Sequence, residues 1–277
     1  MRICLVGAGR VATQLGPALL RAGHIVSAVW SRTAASATVL AEQLSGAHST
    51  TTTDLRQLEV EVVLLAVPDA AVEPLLAQLQ LPAHALVAHT AGALPLAVFA
   101  PYPHLRGGVF YPLQTFSPGR MVEWVTLPLC IEAADDASQA TLLALAHTLS
   151  QDVRLLSTEQ RLLLHTAAVF AGNFTNHVLG ISHALLQEAG LPFELVAPLV
   201  RETVEKALAY PPFTVQTGPA ARHDAPTLAR HQAALHAHPT WQEVYAAVSR
   251  SIQEQQAGRQ PAGFDSGGGI RTFAPLC

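Results

Sequence analysis

The residues best suited to chemistry in this chain form a glycine motif close to its start. Gly7, Gly9 and Ala12 form a G-x-G-x-x-A spacing, which follows an apolar run and precedes a segment of helical composition. In such a motif the first glycine allows a tight turn out of a buried strand, and the second lets a pyrophosphate approach the backbone. Free N–H groups of the next helix then face the phosphates. The motif predicts a dinucleotide site made by residues Gly7, Ala8, Gly9, Arg10, Val11 and Ala12.

The residues that determine specificity for NAD or NADP lie about 20 positions after the glycines. An acidic residue there would bind the ribose 2′-hydroxyl of NAD, but residues 22–41 contain no Asp or Glu. The chain has Ser31, Arg32 and Thr33 instead, and a guanidinium can bind a 2′-phosphate through two hydrogen bonds. The sequence therefore favours NADP over NAD. The alternative is that Arg32 is a solvated charge at the end of a strand.

A second contribution to the cofactor site is predicted where the chain leaves the apolar strand 60–67. Ala66, Val67, Pro68 and Asp69 occupy the carboxyl end of that strand, beside the crevice in which ligands of open α/β sheets bind. Their backbone is predicted to line the nicotinamide ribose. A simpler interpretation, compatible with this one, is a strand-end turn in which Asp69 caps the next helix.

Candidate catalytic groups lie on a long apolar helix and in a proline-bounded loop. His165, Val169, Asn173 and Asn176 share one helix face, at spacings of four, four and three residues. Hydride transfer needs groups that orient the substrate and a proton donor for its heteroatom. We predict His165 as the proton donor, with Asn173 and Gln114 orienting the substrate. The alternative is that these polar side chains bond neighbouring helices.

Two other segments carry polar groups, and four histidines lie near the end of the chain. His89 ends a strand, and the segment that contains Thr217, Asp224 and His231 precedes the last helices, where Asp224 is a candidate cap. An isolated histidine at a strand end is more often structural than catalytic. No metal site is predicted, because the remaining histidines lack a ligand spacing. These are His223, His231, His236 and His238.

Strands and helices alternate in the first half of the chain. Strands are predicted at 3–6, 25–30, 60–67, 85–88, 128–132 and 152–155, and helices at 11–21, 34–44, 70–79 and 137–149. This order predicts a doubly wound α/β sheet. Helices are then predicted at 157–188, 192–208, 227–237 and 240–255, so the second half is all-α. We predict domains at 1–156 and 157–256, with a disordered tail at 257–277.

Composition limits the possible partners and compartments. Half of the 277 residues are apolar and only 13% are charged, which suggests that a partner subunit covers part of the surface. The formal charge of −4 gives no basic stripe for nucleic acid. No apolar run is long enough to span a membrane. Cys4, Cys130 and Cys277 make no disulfide framework. These features predict a cytoplasmic protein.

The chain resembles proteins that join a Rossmann-like domain to a DUF2520 domain. These are assigned as NADP-dependent oxidoreductases, similar to pyrroline-5-carboxylate reductases, ketopantoate reductases and other relatives of the 6-phosphogluconate dehydrogenase superfamily. The resemblance covers about residues 1 to 256. It rests on the segments 7–12, 31–33, 89–92, 111–116, 165–174 and 217–224, with Thr227 and His231.

The resemblance implies a Rossmann NADP-binding domain, an all-α C-terminal domain that dimerises, and a substrate cleft between them. It places His165 and Asn173 at positions that often face substrate. Tyr111 stands where the family usually has histidine, and His223 stands where it usually has glycine. The predicted function is hydride transfer to or from a small carbonyl or imine. The alternative is an NADP-binding sensor or regulatory protein without catalysis.

Overall fold

The computed structural model describes residues 1–258, which divide into two compact units. The first unit is Met1–Asn176, and the second begins at His177. The domain boundary predicted between residues 156 and 157 falls where helix 158–168 begins and stays a prediction. Most of the predicted tail, residues 259–277, lies outside the described residues.

The first unit is an eight-stranded sheet flanked by helices. Its strands, in the spatial order β3-β2-β1-β4-β5-β6-β7-β8, are parallel at every neighbouring pair except β6 and β7. The strands are β1 Arg2–Val6, β2 Ile25–Trp30, β3 His48–Thr50, β4 Val62–Leu65, β5 Leu86–His89, β6 Arg106–Pro112, β7 Leu129–Ala133 and β8 Val153–Leu155. The helices are α1 Arg10–Arg21, α2 Ala34–Glu42, α3 Asp69–Leu76, α4 Asp136–His147 and α5 Thr158–Ala168, with 3-10 turn Leu96–Phe99 and π-helical segment Val169–Phe174. This confirms the predicted doubly wound α/β class.

The central strands are apolar throughout because both faces of the sheet are covered. Ile3 and Leu5 of β1 belong to the core layer that includes α1. Cys4 and Val6, which point to the opposite face, belong to the layer that includes α3. Strands buried in this way read as continuous apolar runs, without alternation. The sheet order reverses between β1 and β4, which fixes where a ligand crevice can form.

The predicted continuous helix 157–188 is interrupted. A capping box begins α5: Gln160 N donates to Ser157 Oγ (3.3 Å), and Ser157 N donates to Gln160 Oε1 (2.9 Å). The π-helical segment then separates α5 from helix α6, Thr175–Glu188. A π turn adds a residue to the helical repeat, so the predicted face, with its three polar positions, does not continue unchanged past residue 169. Such segments occur frequently at functional sites.

The second unit is helical, as predicted. After α6 it contains α7 Ala197–Ala209, α8 Ala225–Ala234 and α9 Pro239–Ala257, with 3-10 turns at Phe193–Val196 and Pro212–Thr214. None of these helices contains a buried residue. From residue 177 to residue 258, only Ala220 and Leu235 are buried among the hydrophobic side chains. His223, at the family's glycine position, has φ of 54°, a backbone conformation that favours glycine.

Three further findings concern residues 1–258. No helix in this range combines the length and apolar character needed to cross a membrane. No group of three or more His, Cys, Asp or Glu side chains in this range is placed to hold a metal ion. Cys4 and Cys130 lie in strands as buried free thiols, whereas Cys277 falls outside the described residues.

Candidate active site

A cavity of about 690 Å³ opens at the carboxyl ends of β1 and β4, where the strand order reverses. Most of the residues predicted to bind a cofactor line it. The lining residues are Gly7, Ala8, Gly9, Trp30, Ser31, Arg32, Ser36, Ala66, Val67, Pro68, Ala70, Ala71, Pro74, Leu75 and Gln78. The sequence thus predicted three of the lining segments, 7–9, 31–32 and 66–68, but the part formed by α3 was missed.

The first two glycines of the motif are required for different physical reasons. Gly7 has φ of 115°, and a Cβ there would overlap the backbone of Ala66, lying 2.8 Å from its carbonyl carbon. Gly9 has an ordinary φ of −86°, and a Cβ there would meet no protein atom within 4 Å. Nothing within the protein therefore requires glycine at position 9. Open space in front of its backbone is what a pyrophosphate needs.

Two helices start at this cavity without a side-chain cap. Helix α1, capped by Gly9, and α3, capped by Pro68, have no side-chain hydrogen bond at their amino ends. The other helices of the unit have one, from Thr33, Asp135 and Ser157. The first N–H groups of an uncapped helix remain available to an anion. This arrangement fits the phosphates of a dinucleotide.

The remaining predicted cofactor residues lie beside the cavity without lining it. Arg10 and Val11 form the first turn of α1, with Arg10 exposed, and Ala12 is fully buried, as close helix packing requires. Asp69 is exposed in the first turn of α3. The alternative in which Asp69 is the N-cap is wrong, because Pro68 occupies that position.

The α2 end of the cavity carries one charge and a pair of hydroxyls. Arg32 lines the cavity, whereas Thr33 caps α2: its Oγ1 accepts from Ser36 N (3.4 Å) and donates to Ser36 Oγ (2.8 Å). Because Ser36 Oγ already accepts from Thr33, its own proton is free for a ligand. Ser36 was missed by sequence reasoning, although Thr33-x-x-Ser36 has the spacing of a helix cap.

A second cavity of about 460 Å³ brings the three predicted catalytic residues together. Gln114, His165 and Asn173 all line it, although they come from the loop after β6, from α5 and from the π-helical segment. The other lining residues are Tyr111, Leu113, Thr115, Leu164, Ala167, Ala168, Val169, Ala171 and Gly172. Asn176, at the end of the predicted polar face, is not among these residues.

Tyr111 and His165 are joined in this second cavity. A hydrogen bond links Tyr111 Oη and His165 Nδ1 (2.9 Å), and the rings meet edge to face. Burial raises the pKa of Tyr111 to about 12, so its phenol stays neutral at physiological pH. Gln114 Oε1 accepts from Thr115 N (2.8 Å), which leaves the amide NH₂ of Gln114 able to donate. The site combines an imidazole, a phenol and two amides.

His89, the other histidine at a strand end, has a structural environment. It is fully buried, stacks on Phe99 and accepts a hydrogen bond from Ala91 N through Nδ1 (3.2 Å). Burial, together with the charge of Arg161, lowers the pKa of His89 to about 3. His89 is therefore neutral in the folded protein at every pH above about 3.

His89 is expected to make the protein sensitive to acid. Between pH 6.5 and about 3 the unfolded chain binds a proton at His89 and the folded chain does not, so the free energy of unfolding falls as pH falls. The slope is about 1.4 kcal/mol per pH unit from this group. In His89→Gln, the slope of the unfolding free energy against pH should be smaller by that amount. Urea denaturation at a series of pH values measures both slopes. Equal slopes for the two proteins would contradict the assignment.

In the second unit, the segment singled out before the last helices is largely structural. Asp224 caps α8, accepting from Thr227 N (3.1 Å), which confirms the capping alternative. This contact with Thr227 holds the pKa of the Asp224 carboxyl below its usual value. His231 Nδ1 is hydrogen-bonded to Tyr245 Oη (2.8 Å). Thr217 lies along an apolar groove formed with α6, α9 and Leu235.

Comparison with known proteins agrees with this architecture. Residues 1–113 match a Rossmann-like domain, and residues 127–252 match a domain of unknown function, DUF2520. A solved structure from Bacteroides fragilis, provisionally assigned as an NADP oxidoreductase, is 38% identical, with a TM-score of 0.81 over 91% of this chain and 98% of its own. No match to a curated protein is found.

More distant solved structures share the fold. A reductive aminase from Aspergillus terreus, in complex with NADPH and ethyl-5-oxohexanoate, is 21% identical over 94% of this chain and 96% of its own, with a TM-score of 0.67. An imine reductase from Myxococcus stipitatus, in complex with NADP⁺, is 18% identical over 93% and 95%, with a TM-score of 0.66.

The reversal in strand order and the glycine turn define a protein of the Rossmann-like class. The chain belongs to the family that joins a Rossmann-like domain to DUF2520, and it is 38% identical to the Bacteroides fragilis protein. This confirms the resemblance inferred from its motifs.

Proposed function

We propose that this protein is an NADP-dependent oxidoreductase that transfers a hydride to or from a small carbonyl or imine. The observation that carries the proposal is the gathering of Tyr111, Gln114, His165 and Asn173 around one cavity. Strand β6, which ends at Pro112, runs parallel to β5, and β5 runs parallel to β4. The second cavity is therefore at the same edge of the sheet as the cofactor cavity. The Bacteroides fragilis relative supports the same class of reaction.

In this proposal the cofactor cavity holds NADP. The uncapped amino ends of α1 and α3 bind the pyrophosphate, and Arg32 binds the 2′-phosphate with help from Ser31 and Ser36. Residues 66–68 line the nicotinamide ribose. When bound, NADPH supplies a hydride. The protein then needs only to orient the substrate and to transfer one proton to or from its heteroatom.

His165 is the proposed source of that proton. To give a proton, His165 acts as an imidazolium: its Nδ1–H then donates to Tyr111 Oη, and Nε2–H is the group left to protonate the substrate heteroatom. Once Nε2 has given up its proton, the neutral ring keeps the Nδ1 proton on Tyr111. The phenol can accept from Nδ1–H or donate to an unprotonated Nδ1, so it stays neutral and holds the ring in place in either state. The amides of Gln114 and Asn173 hold the substrate in place.

Arg32→Ala is expected to weaken NADPH binding by about 10- to 100-fold and to leave NADH binding within twofold. Hydrogen bonds to a charged group contribute about 1.5–3 kcal/mol, and only NADPH carries the 2′-phosphate. Isothermal titration calorimetry with both nucleotides measures the difference. Arg21→Ala, at the exposed end of α1, is the matched control. Equal losses for both nucleotides would refute the assigned role of Arg32.

The alternative, an NADP-binding sensor without catalysis, makes a different prediction. NADPH oxidation can be followed with a panel of aldehydes, ketones, ketoacids and imines at saturating cofactor. Turnover of any of them that is lost in the His165 variant supports the enzyme. Tight NADPH binding without turnover across the panel would favour the sensor.

We also propose that two copies of the chain dimerise through the helical unit. Helices α6–α9 contain no buried residue, and side chains such as Leu199 and Leu208 are 66% and 84% exposed. A unit of this size that buries so little apolar surface cannot be stable without a partner surface. Light scattering coupled to gel filtration should give twice the chain mass of 29.3 kDa. A monomer at micromolar concentration would refute this.

A further inference from the structure

A buried arginine lies next to the proposed proton donor and has no role in the mechanism above. Arg161 is in the first turns of α5, and its side chain is only 1% exposed. Sequence reasoning treated this region as an ordinary helix start. A fully buried charge is costly, so its contacts need an explanation.

The two ends of the guanidinium bind different parts of the sheet. Nη1 donates to the carbonyl oxygens of Ala91 (3.1 Å) and Gly92 (2.8 Å), in the loop after β5. Nη2 donates to Glu132 Oε2 (2.9 Å) on β7. The other carboxylate oxygen, Oε1, accepts from Thr158 Oγ1 (2.7 Å), at the start of α5. One side chain therefore connects α5 to strand β7 and to the loop after β5.

The loop that Arg161 holds is the one on which the Tyr111–His165 pair rests. A Cβ on Gly92 would lie 2.6 Å from Cγ of His165 and 2.9 Å from Cζ of Tyr111. Both rings therefore pack directly on the backbone of Gly92. His165 follows Arg161 by four residues, so the two side chains are on the same face of α5. The backbone of Gly92 lies against both.

Stability alone does not account for this arrangement. Replacing a buried ion pair by apolar side chains of similar volume is often neutral or stabilising. The Nε–H of Arg161 also has no partner among the described residues, so the site is not a fully satisfied network. The contacts that are made converge on the backbone beneath the reactive rings.

We propose that Arg161 is a positioning residue, which holds the Ala91–Gly92 backbone against α5. In this way it fixes the position of the His165 imidazole relative to the Tyr111 phenol. The carbonyls and Glu132 lie on two sides of the guanidinium, and a planar fork can reach both at once. The side chain of a lysine has a single nitrogen, which cannot reach both groups at the same time. Lysine therefore keeps the charge but loses the geometry.

The first test is spectroscopic and does not depend on catalysis. The full chain is labelled with ¹⁵N-histidine, and the His165 ring is assigned by comparison with His165→Gln. At a pH where the ring is neutral, the native protein should show one fixed tautomer. In Arg161→Lys and Arg161→Met the His165 signals should move towards the average of two tautomers. Arg56→Met, which removes an exposed ion pair with Asp54, should leave them unchanged.

The second test uses kinetics and rests on the proposed function. With any substrate found in the panel, Arg161→Lys should lower kcat by on the order of 100-fold, the effect of a small misplacement of a catalytic group. The Kd for NADPH should stay within twofold, and the pH dependence of kcat should change. If Arg161→Met fails to fold, Arg161→Lys alone is sufficient for both tests.

Each outcome of these tests has one meaning. If Arg161→Lys lowers the melting temperature but leaves the His165 tautomer fixed, Arg161 is only structural and the proposal is wrong. An averaged tautomer in the native protein would also overturn it. Failure of the proposed function looks different: NADPH does not bind, or no substrate turns over, while the His165 signature still responds to Arg161.

Discussion

Replacing Gly9 by valine is expected to abolish NADPH binding and leave the protein folded. The φ of −86° at Gly9 is accessible to any residue, and a Cβ there would meet no protein atom within 4 Å. The free energy of unfolding should therefore change by no more than about 1 kcal/mol, the scale of an N-cap preference. The added methyl groups would instead occupy the space through which phosphates reach the N–H groups of α1. Losing two charge-assisted hydrogen bonds costs about 3 kcal/mol, which is 100-fold or more in Kd.

Gly7→Ala is the informative contrast for this experiment. Its Cβ would overlap the backbone of Ala66, and its φ of 115° disfavours any side chain. Unfolding free energy should fall by on the order of 3 kcal/mol. Calorimetric titration and denaturant unfolding on both variants separate the two roles, with Gly9→Ala as an intermediate step. Full NADPH affinity in a folded Gly9→Val protein would contradict the assignment of this cavity to the cofactor.

Local features of the sequence were sufficient to predict most of the segments that line the cavity at the carboxyl ends of β1 and β4. The turn at Gly7, the open backbone at Gly9 and the strand-end loop 66–68 each depend on a few consecutive residues, and the parallel sheet brings them to one edge. The long helices were predictable for a similar reason. Strand β3, only three residues long, carries no apolar run and was missed, because its pairing with β2 is decided by the sheet.

Contacts between distant residues were not predictable from one sequence. Nothing in the residues near Gly92 indicates that the rings of Tyr111 and His165 rest on it. Arg161 reads as an ordinary polar residue at a helix start, and its burial depends on the 91–92 carbonyls and Glu132. The π-helical segment also lacks a sequence pattern of its own. It changes which residues share a face with His165, and Asn173 still reaches the cavity while Asn176 does not line it.

His165→Gln is expected to lower turnover by about 10²- to 10⁴-fold, the usual contribution of a positioned general acid. Glutamine keeps polar atoms near Tyr111 but cannot carry the proton to the substrate. The cofactor cavity does not include His165, so the Kd for NADPH should stay within twofold. Stopped-flow measurement of NADPH oxidation, with a substrate found in the panel, gives the rate of the chemical step. His147→Gln, an exposed histidine in the last turn of α4, is the matched control.

Tyr111→Phe separates proton donation from the positioning of the imidazole. It removes the Oη that faces His165 Nδ1, but leaves the imidazole in the cavity. We expect a loss of about 10- to 100-fold in turnover, smaller than that of His165→Gln, because the donor remains and only its orientation is lost. The double variant should be no slower than His165→Gln alone, since Tyr111 acts through His165. Independent, multiplicative losses would mean that Tyr111 contributes to turnover without acting through His165, and the positioning role assigned to it would be wrong.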